Sequence, residues 1–151
     1  MTTNELVVEI LERHHDHLWF SLPLLVTAGR RAARERGPQA GDRLTALIGA
    51  LQAVLLTHLT HEDRVLLDLA HGSRRPEVED GVHRLRREHI ELHDCLVALE
   101  AELGPGFVTP AAGPLQRAVG EQLAELRRQL DEQIRLEEIV IRRRIPSVRL
   151  H

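Results

Sequence analysis

The chain has 151 residues, enough for one domain with a substantial core, and 20 basic against 23 acidic residues leave no electrostatic footprint for nucleic acid. A single cysteine, Cys95, excludes an internal disulfide and any cysteine-based zinc or iron–sulfur site, and it is expected as a small buried hydrophobe. No apolar run approaches the ~20 residues that span a bilayer, and the opening MTTNELVVEI lacks the layout of a signal peptide, so no membrane association and a cytoplasmic location are expected.

Gly and Pro cluster at RGPQAG (36–41), HGSRRP (71–76) and LGPGFVTPAAGP (103–114), and divide the chain into segments of about 3–35, 42–70, 76–103 and 114–144. Each is long enough for a substantial helix. The first carries apolar residues at helical spacing, Leu11, Leu18, Leu22 and Leu25, with position 15 interrupting the row. Pro23 lies inside it and is expected to kink rather than end it. In the second, Asp42 is the candidate cap, and the row runs Leu44, Leu47, Ile48, Leu51, Leu55, positions 58 and 62, then Val65, Leu66 and Leu69. The third reads Val82, Leu85, position 89, Leu92, Leu96, Leu99, Leu103; the fourth reads Leu115, Val119, Leu123, Leu126, Leu130, positions 133 and 137, then Val140 and Ile141. Gly37 and Gly72 are placed to terminate helices with a positive φ. One domain over residues 1–151, an all-α antiparallel up-and-down four-helix bundle, is the predicted architecture.

The interruptions are His15, His58, Glu62, His89, Gln133 and Glu137, with His93 one turn beyond His89 at the edge of its row. A buried carboxylate without a cation costs several kcal/mol. No Arg or Lys lies on these rows at that height to neutralise Glu62 and Glu137. Counting at about 1.5 Å per residue from each connection brings the four segments' interruptions to one layer. Histidines and carboxylates converging inside a bundle suit a borderline transition metal, and carboxylates able to bridge suit a pair. The i,i+4 spacing of His58 and Glu62 lets both reach the same or adjacent ions. The paired Glu-x-x-His pattern of ferritin-like bundles is absent, because only Glu12 and His15 supply a copy.

His15, HLTHE (58–62), HIELH (89–93) and QIRLEE (133–138) together resemble the hemerythrin-like domains, non-haem di-iron four-helix bundles, over almost the whole chain. RHHDHLWFSLPLL (13–25) is most similar to the di-iron domain of iron–sulfur cluster repair proteins. The resemblance implies two non-haem iron ions, carboxylate- and oxo-bridged, with His15 and His58 on one iron, His89 and His93 on the other, and Glu62 with Glu137 or Glu138 bridging. His61, like His14 and His17, lies off its row, and is expected at the surface or donating to a bridging carboxylate. Gln133 stands where the family has histidine, and the Leu-Phe-Pro that usually follows the acids is replaced by VLLDL and VIRRR. One iron is then short of a ligand.

What the resemblance implies for function is the binding or processing of O2, H2O2 or NO, with an electron donor as a further partner, in oxidative or nitrosative stress or iron–sulfur repair. Two other readings stand beside it: an O2-activating oxidase working on an organic substrate next to Gln133, and a bundle with a degenerate metal site serving as an interaction module. Catalytic residues are not assigned. No nucleophile motif or phosphate-binding loop competes, and HLTHED differs from the zinc-hydrolase His-Glu-x-x-His because its Glu follows the second His.

Overall fold

A computed structural model describes residues 1–104 and 113–146, and within them the secondary structure is entirely helical. The elements are α1 (Thr3–Glu9), a π-helical turn (Ile10–His14), α2 (His15–Arg36), α3 (Pro38–Ala70), α4 (Pro76–Leu103) and α5 (Pro114–Arg144). Thr2 caps α1 through a capping box: its hydroxyl accepts from the Glu5 amide at 3.1 Å, and the Glu5 carboxylate accepts from the Thr2 amide at 2.6 Å. The residues joining α1, the π turn and α2 keep right-handed helical dihedrals, so these pieces form one rod.

Each of the other helices begins on proline, at Pro38, Pro76 and Pro114, where the missing N–H would have had no partner in any case. The second helix therefore starts earlier than Asp42, which lies exposed inside its second turn and does not cap it. The break is made by Gly37 alone, at φ 86°, a conformation open to glycine. Gly72 (φ 71°) and Gly104 (φ 83°) follow the ends of α3 and α4 in the same sense. Pro23 does not interrupt α2. It sits on the exposed face, where water can take up the carbonyl that its missing N–H leaves free.

The long helices pack in a ring, α2 on α3, α3 on α4, α4 on α5 and α5 on α2, with the short connections at 37 and 71–75 turning α3 back on α2 and α4 back on α3. Closest approaches are made by glycine: a Cβ on Gly41 would meet the Ala33 carbonyl oxygen, and one on Gly81 would meet the Val65 side chain. The apolar rows bury two separate clusters. One contains Leu18, Leu22, Leu55, Leu59, Leu92, Leu96, Leu126 and Leu130; the other contains Val7, Ile10, Leu66, Leu69, Val82, Leu85, Val140 and Ile141. At roughly 1.5–3 kcal/mol per fully buried Leu or Ile, both ends of the bundle are strongly driven together. Between them lies a polar layer.

Although it holds no unbroken apolar run of ~20 residues, α3 is long and apolar enough to cross a membrane by length and composition. Its Leu44, Leu51, Leu55, Leu66 and Leu69 are instead consumed by the bundle core. Cys95 is half-buried against the first cluster, and burial pushes its thiol pKa up.

Candidate metal centre

Six polar side chains lie between the two apolar clusters: His15 from α2, His58 and Glu62 from α3, His89 from α4, and Gln133 and Glu137 from α5. His58, Glu62, Gln133 and Glu137 have no exposed surface at all. The layer's heights follow from the row spacing on α3, α4 and α5. On the first rod they depend on the π turn.

In that turn the His15 amide donates to the Ile10 carbonyl, five residues back, so one residue more than usual is used in the turn. The buried row consequently steps from Ile10 to His15, not through Leu11, which is only half-buried. With regular α-helical steps from Ile10 the next inward position would be residue 14. The widened turn sends His14 to the margin, where burial lowers its imidazole pKa, and brings His15 into the layer.

The carboxylates and imidazoles form two overlapping groups. Glu62 Oε2 lies 3.1 Å from His15 Nε2 and 3.3 Å from His58 Nε2. Glu137 Oε2 lies 2.8 Å from His89 Nε2, and its Oε1 is 3.9 Å from His58 Nε2. The rings of His58 and His89 meet edge to face, with centroids 4.8 Å apart and planes at 69°. Donor atoms of His58, His89 and Glu137 all fall within 4.8 Å of one another, as a shared ion would require.

These contacts are close but poorly directed. His15 Nε2, His58 Nε2, His89 Nε2, Gln133 Oε1 and Glu137 Oε2 are buried without a hydrogen-bond partner. Leaving such a group unmade costs about 1–3 kcal/mol. Five orphans converging on one layer have a simple resolution in a cation, for which imidazole nitrogens and carboxylate oxygens are the right donors.

Charge is divided sharply in the metal-free layer. Burial alone would raise the Glu62 carboxyl, but the pull of Glu137, His15 and His58 outweighs it and holds Glu62 well below the usual range. Burial and the negative charge of Glu62 raise Glu137 well above that range, so it keeps its proton. Burial works against charge on His58, yet the carboxylates of Glu62 and Glu88 beside its two ring nitrogens lift its pKa to about 9. For His89, burial and the charge on His58 lower it to about 4.

Gln133 does not leave a gap. Its amide nitrogen donates to both oxygens of Glu62, at 2.8 and 2.6 Å, and to Glu137 Oε1 at 3.1 Å. It ties the two carboxylates together while its carbonyl oxygen stays free in the layer.

The other candidates lie elsewhere. His93 is exposed: the inward row of α4 runs Leu85, Glu88, Leu92, Leu96, with His89 at its margin, and one further turn from that margin rotates outward. Glu138 turns to Arg86, whose guanidinium reaches its two oxygens at 3.1 and 2.9 Å, so Glu137 is the acid in the layer. His61 is half-buried and sits on Glu88 at 2.6 Å. Asp63, exposed on α3, lies 2.7 Å from His15 Nδ1.

Glu88 itself was not singled out from the sequence, although a three-residue step from Leu85 lands on it. Ser21 and Gln129, which hydrogen-bond at 3.0 Å one turn from Gln133, were missed likewise, as neutral residues give no periodicity signal.

A family model for the hemerythrin HHE cation-binding domain matches residues 6–144. The chain belongs to that family. Comparisons with curated proteins and with solved structures returned no match. The HHE family is a cation-binding one, and among the described residues His58, His89 and Glu137 lie close enough together to hold an ion.

Proposed function

We propose that the chain is a cytoplasmic non-haem iron protein that holds two irons in the polar layer and binds or processes a small oxidant or diatomic, O2, H2O2 or NO. The observation that carries this reading is the set of five orphaned buried donor atoms converging on one layer. The donors fall into two overlapping groups, His15–Glu62–His58 and His58–Glu137–His89, and these five residues would hold a pair of ions. When bound, the iron pair would supply redox and Lewis-acid chemistry.

The protein's own contribution is to fix these side chains on four rigid helices and to keep bulk water out through the Leu and Val layers on either side. A degenerate site, one in which the polar layer satisfies itself, fits less well because the contacts among those donors are poorly directed and leave them without hydrogen bonds. The oxidase reading relied on a vacancy at Gln133, and that residue is fully buried and engaged with both carboxylates.

Iron content of protein prepared with iron available, together with its visible spectrum before and after reduction, tests the proposal. Two irons per chain and a spectrum altered by reduction and by NO or peroxide are expected. Iron below one per chain would overturn the paired site, and a loaded protein indifferent to all three ligands would overturn the functional reading.

A further inference from the structure

Glu88 is buried on α4 immediately before His89, yet it points away from the ligand cluster and into the space between His58 and His61. One oxygen faces His58 Nδ1 at 3.3 Å, and the other faces His61 Nδ1 at 2.6 Å, with Arg84 Nε at 3.4 Å. The opposite nitrogen of His58, Nε2, is the atom turned into the polar layer and left without a hydrogen-bond partner. In the neutral form that binds a metal, a ring with its Nδ1–H committed to a carboxylate must offer Nε2 as its lone-pair donor, and its rotation about χ2 is restrained.

We infer that Glu88 is a positioning residue for the metal centre: it holds His58 in the Nδ1–H form with Nε2 aimed into the layer, and His61 holds Glu88 in turn. This rests on the metal-binding reading above. The juxtaposition is specific to His58, whose place at the overlap of the two donor groups makes its orientation matter for both. On the other side of the bundle Asp63 faces His15 Nδ1 in the same manner, but its side chain is 53% exposed, so water can replace it. The Glu88 side chain is 8% exposed and has no such substitute.

The test uses the full chain and Fe(II) alone, titrated without oxygen, with Zn(II) as a diamagnetic stand-in for NMR. Glu88→Ala is expected to weaken Fe(II) binding about 10–100-fold, and Asp63→Ala less. Glu88→Gln, which keeps one carbonyl acceptor for His58, is expected to fall between wild type and Glu88→Ala, and it serves as the deciding variant if Glu88→Ala does not fold. In the Zn(II)-loaded wild type, long-range proton–nitrogen correlation should show His58 protonated at Nδ1. A purely structural Glu88 would lower the stability of metal-free and loaded protein alike and leave affinity unchanged. Fe(II) binding by folded Glu88→Ala or Glu88→Gln equal to wild type, or a His58 bound through Nδ1, would overturn the assignment while leaving the metal site standing. Failure of the wild type to bind either metal would overturn both.

Discussion

Raising the pH of the metal-free protein from about 6.5 to 9 should destabilise it, because the folded layer holds protons that the unfolded chain releases. Burial opposes charge on His58, but the carboxylates of Glu62 and Glu88 beside its ring prevail and raise its pKa from 6.5 to about 9. A base raised on folding contributes stability that is fully present below the unfolded value and is lost as pH climbs through the folded one. At ~1.4 kcal/mol per unit, the loss from His58 alone is roughly 3 kcal/mol by pH 9, a large part of a typical folding free energy. Glu137 works in the same direction, since burial and the charge of Glu62 keep it protonated in the folded state well above its ordinary 4.5.

His89 acts oppositely and in another window: burial and the charge on His58 lower it to about 4, so it costs stability as pH falls below 6.5. Between about 4.5 and 6.5 the proton kept by Glu137 and the one refused by His89 offset each other, which places the optimum there. Urea midpoints of chelator-treated protein at intervals from pH 5.5 to 9.5 measure the effect, with His58→Gln expected to flatten the alkaline limb. Bound metal replaces these protons, so the loaded protein should lose the alkaline decline. A midpoint that stays flat or rises between pH 6.5 and 9 in the metal-free protein would refute the charge assignment.

Gln133→His should do two opposing things. It removes the amide that joins Glu62 to Glu137, lowering metal-free stability by about 1–3 kcal/mol, and it adds an imidazole to the layer, slowing loss of iron to a chelator. Unchanged iron retention would show that position 133 does not reach a metal. Glu138→Gln and His93→Ala should leave iron stoichiometry as it is, because one pairs with Arg86 and the other is exposed, whereas Glu137→Gln should reduce it. Iron analysis of the three purified variants decides this, and loss of iron from His93→Ala would contradict the outward placement of that residue.

The bundle and the rough composition of its polar layer were legible in the sequence because both rest on periodicity. Leu and Val rows at helical spacing identify the helices, Gly and Pro clusters separate them, and a carboxylate in an apolar row is conspicuous since burial without a partner is costly. His58, Glu62, His89 and Glu137 could therefore be picked out before any coordinates. Periodicity runs out within one turn, where three- and four-residue steps are equally helical. It could not separate Glu137 from Glu138 by chemistry alone, exclude His93, or find Glu88, and these were decided by what α3, α4 and α5 present to one another. Likewise only the folded chain shows that His61 and Asp63 face partners on α4 and α2 that lie far away in sequence. The π turn is the clearest case. Nothing in ILERH announces a five-residue step, and the packing of Ile10 in one apolar cluster and Leu18 in the other, with His15 level between them, is what selects it.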